Sequence, residues 1–161
     1  MTNTPQQTTI HEALAAAVAD VLENMFFLEA LGEASEALET EAIAVEIGFD
    51  GDPPGRFQMR LAPMAAQCFA ADFLGEDADL LSERQSEDVA LELANMICGA
   101  VLSRLESSAC FRLESPRIVL SGGLGAEAEA ARFTVETGNG TLTAAIQLEK
   151  RTCLAITEYA S

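Results

Sequence analysis

The residues with the clearest chemical potential lie in one segment, residues 88–99, which has the sequence DVALELANMICG. In a helix, spacings of four, three and four residues bring four positions onto one narrow stripe. A solvated helix face usually mixes acidic and basic residues, and this stripe does not, so its composition beside apolar Leu91 predicts a contact site. The stripe holds two carboxylates, one carboxamide and one position without a side chain, namely Asp88, Glu92, Asn95 and Gly99.

The stripe needs a rigid element to carry it, and the sequence predicts a helix from Ser82 to Leu105. Ser82 and Gln85 have the spacing of a capping box, in which each side chain accepts a hydrogen bond from the backbone N–H of the other residue. Leu93 and Ile97 lie on the side opposite the stripe. This arrangement predicts that one side of the helix packs on a core while the stripe stays accessible.

Two more helices are predicted before this one. A long apolar stripe predicts a helix over residues 9–31, with a capping box at Thr9 and Glu12 and with Gly32 as its C-terminal cap. We expect the polar residues 1–8 that precede it to form a frayed end. Proline is favoured in the first turn of a helix, so a shorter helix is predicted from Pro63 to Leu74.

Alternation of apolar and polar residues predicts two antiparallel hairpins, over residues 43–61 and 133–148, the second with a tight turn at Asn139–Gly140. A further strand-like segment is interrupted at Pro116, which has no backbone N–H and therefore belongs at a sheet edge or bend. Hairpins favour an antiparallel sheet, and the long helices need an apolar surface to cover. We therefore predict one α+β domain over residues 1–161, with two long antiparallel helices on one face of an antiparallel sheet.

The composition limits the partners and the compartment. The chain carries 26 acidic and 9 basic residues, a formal net charge of −17, which disfavours nucleic acid and anionic membranes as partners. The sequence contains no apolar run long enough to cross a bilayer. Its four cysteines form no C-x2-C pair and its single histidine is His11. We therefore expect reduced thiols, no metal site in this chain and a cytoplasmic location.

The pattern Asp88-x3-Glu92-x2-Asn95, followed by Met96-Ile97-Cys98-Gly99 and later by Pro116, resembles the signature of the CheC/CheX/FliY phosphatases. The order of predicted elements between residues 10 and 150 is also similar to that family. A single motif on a single helix is most similar to its CheX members. The resemblance implies that the chain removes the phosphoryl group from the phospho-aspartate of a CheY-like response-regulator receiver domain.

The resemblance also implies a role for each residue. It assigns Asn95 to orienting the attacking water and Glu92 to pairing with the active-site Lys of the receiver. A carboxamide suits the first task, because it donates to one group and accepts from water without a pKa near neutrality. We expect Asp88, Leu91 and Gly99 to contact the partner. Any Mg²⁺ would belong to the receiver, so the chain needs no cofactor of its own.

Two alternatives to a phosphatase stay open. The first is a CheX-like module that binds a receiver domain, or forms a dimer, without turnover. The second is a metal-dependent enzyme that uses Asp88 and Glu92, although two carboxylates one helical turn apart make a poor cage without further ligands. The presence of Asn95 favours the phosphatase, since a binding module has no need of a carboxamide at that spacing.

The resemblance to CheX implies a homodimer. We expect an edge strand to mediate it by extending the sheet, and residues 142–148 are the candidate, because that strand contains no Lys or Pro that would block pairing. The high negative charge of the chain opposes this association.

Overall fold

A computed structural model describes residues 5–33, 42–51, 54–105, 111–119 and 131–149. These residues form an α+β domain of helices packed on an antiparallel sheet. The helices are α1 (Pro5–Phe26), α2 (Pro63–Leu74) and α3 (Glu83–Leu105), with a short 3-10 helix at Ala78–Leu80. The strands are β1 (Gly32–Glu33), β2 (Ile43–Asp50), β3 (Gly55–Leu61), β4 (Arg112–Leu113), β5 (Arg117–Val119), β6 (Ala131–Thr137) and β7 (Gly140–Leu148).

The strands lie in the order β1-β6-β7-β3-β2-β4, and β5 pairs with β2 beside β4. Every pair is antiparallel, and the two predicted hairpins are confirmed as β2–β3 and β6–β7. Pro116 lies between β4 and β5 on the outer side of β2, so its predicted position at a sheet edge is confirmed. Thr137 pairs with Gly140, so the turn residues of the second hairpin are Gly138 and Asn139, one position earlier than predicted.

Strand β7 lies inside the sheet, between β6 and β3. Leu142, for example, is paired with Val135 on one side and with Leu61 on the other. The expectation that residues 142–148 form a free edge for dimerisation is therefore wrong. Alternation identifies a strand, but its lateral neighbours are set by long-range pairing that alternation does not encode.

The bounds of α1 differ from the predicted 9–31 at both ends. The helix begins at Pro5, so Thr9 lies inside it and the predicted capping box is wrong; residues 1–4 lie outside the described residues. The helix ends at Phe26, because Phe27 adopts a left-handed φ of 56°. Gly32, with a φ of 136°, does not cap the helix but begins β1, which adds to the edge of β6.

Helix α2 follows its predicted bounds. It begins at Pro63, whose missing N–H costs nothing in the first turn. It ends at Leu74, and Gly75 closes it in a left-handed conformation with a φ of 68°. The N–H of Gly75 donates to the carbonyl of Ala71 at 2.9 Å, so one terminal carbonyl of the helix is satisfied.

Helices α1 and α3 run in opposite directions over the sheet, as predicted. The ring of His11 packs against Phe133 near the start of β6, and Leu28 lies beside Gly138 just after the end of β6. Helix α1 therefore runs in the same direction as β6. Helix α3 ends a few residues before β4 in the chain, and β4 pairs with the end of β2 at Asp50. The end of α3 is therefore near the end of β2, so the two run in the same direction. Strands β2 and β6 are antiparallel to each other through the intervening pairs.

The core lies between the helices and one face of the sheet. Helix α1 packs on β6 and β7, and α3 packs on β2 and β3. No helix in the described part of the chain has both the length and the apolar character needed to cross a bilayer. The largest fully buried side chains come from both layers: they are Leu14, Val18, Leu22, Ile47, Phe57, Met59, Phe69, Leu93, Ile97, Leu142 and Ile146.

Candidate functional site

The start of α3 is held by the capping box that the sequence predicts. The N–H of Gln85 donates to the Ser82 hydroxyl at 3.1 Å, and the N–H of Ser82 donates to the Gln85 carboxamide oxygen at 2.9 Å. Glu83 in the first turn and Arg104 in the last turn have the charges that the helix dipole favours. The first turn of α3 is therefore well defined just before Asp88.

The rotation of α3 about its own axis is set by its buried side. Val89, Leu93 and Ile97 are buried in the core, so the opposite side of the helix faces outward. Asp88 and Glu92 are exposed on that outward side, and they are joined there by half-buried Asn95 and Gly99. The structure thus brings all four residues of the stripe to one surface.

The polar side chains of this stripe are not used inside the domain. Within the described part of the chain, Asp88, Glu92 and Asn95 have no side-chain hydrogen bond or ion pair. The carboxamide of Asn95 therefore keeps its donors and its acceptor, and the Glu92 carboxylate keeps its acceptors. The arrangement presents one anion and one amide, three residues apart, to an incoming molecule.

Gly99 leaves a gap in the helix surface next to Asn95. A Cβ atom built on Gly99 would meet no heavy atom within 4 Å, so packing against the described residues does not require glycine here. Glycine inside a helix costs about 0.5–1 kcal/mol relative to alanine. The missing side chain does allow another molecule to approach the backbone closely beside the carboxamide.

Apolar residues and one ion pair border the stripe. Leu91 and Met96 are half-buried along it and offer apolar surface beside the polar groups. At the C-terminal end, Arg104 of α3 forms an ion pair with Asp20 of α1. This pair joins the two long helices beyond Gly99.

Helix α1 does not repeat the site. Glu23 and Asn24 are both exposed, but adjacent helical residues point about 100° apart and do not share a stripe. When the spacing of the site is counted from Glu12, alanines occupy the second and third positions in α1. The α1 residues with the spacing four, three and four are Glu12, Ala16, Ala19 and Glu23.

The described residues supply no other obvious catalytic group near the stripe. No set of three or more His, Cys, Asp or Glu side chains among them is arranged to hold a metal ion, so Asp88 and Glu92 have no third ligand there. Cys68 and Cys98 are free thiols. Burial raises the pKa of the Cys98 thiol to about 12, which keeps it protonated and unreactive at neutral pH.

A second polar cluster, which the sequence analysis missed, lies at a cleft of about 270 Å³ that involves β2, β3 and β5. Nη2 of Arg117 donates to the Glu46 carboxylate at 2.7 Å, and the Glu46 side chain is only 11% exposed. The hydrogen bond and the charge of Glu46 raise the pKa of Arg117. Glu46 alternates with core residues Val45 and Ile47, so this cluster lies on the face of the sheet away from α3. Only the pairing of β5 with β2 brings the two residues together.

Comparison with solved structures shows the same fold in several chemotaxis proteins. CheX from Vibrio vulnificus is 21% identical, with a TM-score of 0.70, over 92% of this chain and 100% of that one. CheX from Desulfovibrio desulfuricans is 19% identical, with a TM-score of 0.68, over 87% and 99%. A CheX–CheY–BeF3–Mg²⁺ complex from Borrelia burgdorferi matches at 16% identity and a TM-score of 0.64, over 86% and 97%.

One protein-family model matches a part of the chain that includes the site. None of the curated proteins compared with the chain matches it significantly. The family described as chemotaxis phosphatase CheX matches residues 43–137, which is more than half of the chain and includes the whole of α3 with Glu92 and Asn95. The chain therefore belongs to the chemotaxis phosphatase CheX family.

Proposed function

We propose that this chain is a phosphatase that removes the phosphoryl group from the phospho-aspartate of a CheY-like receiver domain. The observation that carries the proposal is the outward stripe of α3, where Glu92 and Asn95 have no side-chain partner among the described residues. Membership of the CheX family supports the same reaction. The similar structure from Borrelia burgdorferi, in which CheX is in complex with CheY, supports the choice of partner.

The reaction requires little covalent chemistry from this chain. A water oxygen forms a bond to phosphorus while the bond between phosphorus and the aspartyl oxygen breaks, which yields inorganic phosphate and a free aspartate on the receiver. The main requirement is to hold that water in line with the breaking bond. The Asn95 carboxamide is suited to this, because its oxygen accepts a hydrogen bond from water while its NH2 group donates to another group.

Glu92 has a complementary role in the proposal. The N-terminal half of α3 is acidic, with Glu83, Glu87, Asp88 and Glu92 against Arg84. A partner that docks here must therefore offer cations, and the active-site Lys of a receiver meets that need. We assign Glu92 to that lysine, as the resemblance implies, and any Mg²⁺ of the complex to the receiver. This chain then needs no cofactor of its own.

The proposal is tested with a CheY-like receiver phosphorylated from a small phosphodonor in excess Mg²⁺. We expect the wild-type chain to speed the release of inorganic phosphate, and Asn95→Ala to lower kcat by about 100-fold or more, because a positioned group of this kind contributes at least that much. Binding of the phosphorylated receiver should change little in Asn95→Ala. The matched control is Asn24→Ala, which removes an exposed carboxamide from α1 and should leave the rate unchanged.

Two results would contradict the proposal in different ways. Full activity of Asn95→Ala towards a receiver that the wild type dephosphorylates would exclude the water-orienting role. Tight binding of the phosphorylated receiver by the wild type, without any acceleration of phosphate release, would instead establish the alternative of a non-catalytic receiver-binding module.

A homodimer is part of the proposal, as the resemblance implies, although its interface cannot be the internal strand β7. Strand β1 pairs only with Val135 and Glu136 of β6. Among the described strands, the start of β6 at Ala131 thus has no neighbour on that side, which favours it as the pairing edge. Sedimentation is expected to show a dimer of the 17.1 kDa chain, and a monomer at tens of micromolar, roughly the Kd of a weak interface, would contradict it. Free thiols at Cys68 and Cys98 support a cytoplasmic location.

A further inference from the structure

Exposed apolar side chains gather where the end of α1 meets the end of α2. The ring of Phe26, the last residue of α1, lies 5.8 Å from the ring of Phe73 in α2, measured between centroids. The carboxamide of Asn139 donates to the Asp72 carboxylate at 2.8 Å, which joins α2 to the turn between β6 and β7. We define the α1-end patch as the exposed apolar residues at this junction, which are Met25, Phe27, Leu31, Phe73 and Leu74.

The segment after α1 is anchored along the same turn. Cδ2 of Leu28 lies 3.8 Å from the position of a Cβ atom built on Gly138, and the N–H of Leu31 donates to the Glu136 carbonyl at 2.9 Å. Monomeric proteins seldom expose a contiguous apolar patch larger than a few hundred Å², and larger patches mark interaction sites. Phe27 is 90% exposed and alone contributes on the order of 150 Å², so the whole patch reaches that size.

Phe27 is unfavourable both in its backbone and in its side chain. It is the one non-glycine residue in the described part of the chain with a positive φ, and it lies just after a helix end, where this conformation favours glycine. The turn is fixed, because the N–H of Leu28 donates to the Leu22 carbonyl at 3.0 Å. The ring of Phe27 stays in water and gains nothing from burial. Strained residues cluster at functional sites, so this combination indicates that the ring is buried in a complex.

The charged residues around the patch are acidic. The segments that build it, residues 5–33, 61–83 and 133–149, contain no Lys or Arg. Two such surfaces repel each other, so a second copy of the chain is a poor occupant, and an anionic membrane is disfavoured for the same reason. The partner must therefore combine apolar groups with cations. The exposed carboxylates next to the patch residues in the chain are Glu23, Glu29, Asp72, Glu76 and Asp77.

We propose that the α1-end patch binds a basic amphipathic helix of another protein, with Phe27 as its main apolar contact. Such a helix lays its apolar stripe on an apolar surface, and the Lys and Arg residues beside that stripe pair with the carboxylates at the rim. The flexible thioether of Met25 suits an apolar contact of this kind. The patch shares no residue with the stripe of Glu92 and Asn95, so the proposal goes beyond the phosphatase reaction and does not depend on it.

The test measures binding of a fluorescein-labelled peptide of about 18 residues, with Leu at the spacing of one helix face and Lys elsewhere. Phe27→Gly is the informative variant, because it removes the ring, leaves the charge of the chain unchanged and relieves the left-handed strain. We expect it to raise the Kd for the peptide about tenfold and to raise the urea concentration at the unfolding midpoint. Met64→Ser, which removes an exposed apolar side chain at the opposite end of α2, should leave the Kd unchanged.

A second pair of variants tests the acidic rim. Glu29→Lys reverses an exposed charge between Phe27 and Leu31, so it should raise the Kd for the peptide and weaken its dependence on salt concentration. Glu12→Lys makes the same change of charge near the opposite end of α1 and should have a much smaller effect.

The other outcomes overturn this inference. No binding of the peptide by the wild type, or equal Kd values for the wild type and Phe27→Gly, would show that the patch is not the binding surface. Equal effects of Glu29→Lys and Glu12→Lys would show that net charge alone holds the peptide. Lower stability of Phe27→Gly would show that the ring already packs within the monomer.

Two further results would assign the patch to another occupant. Loss of self-association in Phe27→Gly would show that a second copy of the chain covers it. Binding of the wild type to phosphatidylcholine vesicles, lost in Phe27→Gly, would show that a lipid surface covers it. Receiver dephosphorylation should be normal in Phe27→Gly, and the phosphatase proposal is tested separately by Asn95→Ala.

Discussion

Glu92 and Asn95 lie three residues apart on the outer side of α3, and neither side chain is hydrogen-bonded to another described residue. Three residues on a helix span about 4.5 Å along the axis, so one surface of a partner meets both groups together. The core contacts of Leu93 and Ile97 prevent the helix from turning this pair away. The relationship between the two residues therefore depends on the whole of α3, which makes variants of its surface informative.

Replacing Glu92 should weaken both binding and turnover. Glu92→Ala removes the proposed partner of the receiver's lysine and leaves that cation without a counter-charge in the complex, so we expect kcat/KM to fall about tenfold or more. Asp88→Ala is the comparison, since it removes another exposed carboxylate of the same stripe one turn towards the N-terminus, and we expect it to matter less than Glu92→Ala. Steady-state kinetics at two salt concentrations measure both variants, and equal losses in the two would argue against a specific ion pair at Glu92.

Replacing Gly99 with alanine should raise the stability of the fold and weaken receiver binding. Gly99→Ala adds a methyl group that meets no heavy atom within 4 Å, so we expect the free energy of unfolding to rise by about 0.5–1 kcal/mol through improved helix propensity. The same methyl group would stand where we expect the partner to approach the helix, so KM for the receiver should rise. Denaturation in urea gives the first quantity and kinetics the second.

Gly75→Ala is the control for that prediction, because it should change stability in the other direction and leave KM unchanged. Gly75 has a φ of 68°, which is strained for alanine, so this variant should lose stability without any effect on KM. A stabilised Gly99→Ala with unchanged KM would remove Gly99 from the contact surface.

Replacing Arg117 should reduce stability without affecting catalysis. Arg117→Ala leaves the nearly buried Glu46 carboxylate without its hydrogen bond, so we expect a lower melting temperature. The double variant Glu46→Leu with Arg117→Ala should recover part of the loss, because it removes both charges together. Receiver dephosphorylation should be normal in both, since the pair lies on the face of the sheet away from α3. A large loss of kcat in Arg117→Ala would contradict this assignment.

The buried thiol of Cys98 should make stability depend on pH in the alkaline range. Burial raises its pKa from 9.0 to about 12, so between these values the folded chain holds a proton that the unfolded chain has lost. This contribution to stability is fully present below pH 9 and is lost as the pH rises towards 12. We expect the free energy of unfolding of the wild type to fall more steeply than that of Cys98→Ala, by up to about 1.4 kcal/mol per pH unit. Parallel curves from urea denaturation would contradict the prediction.

The sequence by itself determined the helix that carries the site and the stripe upon it. The capping box at Ser82 and Gln85 and the 3.6-residue spacing of the apolar side are local features, complete within a few turns of chain, and both are present in the structure. The same holds for α2, whose start at Pro63 and left-handed cap at Gly75 depend only on the local backbone. The motif on this helix, together with the order of the predicted elements, indicated the family.

Only the tertiary structure decided where α1 ends, which strands lie at the edges of the sheet and which charges meet. Apolar spacing continues past Phe26, but the chain turns at Phe27 so that Gly32 and Glu33 can pair with β6. Strand β7 became internal, and Arg117 reached Glu46, through pairings between residues distant in the chain. Such pairings depend on the sheet as a whole, because a strand's alternation specifies which face each side chain takes but leaves its neighbours open.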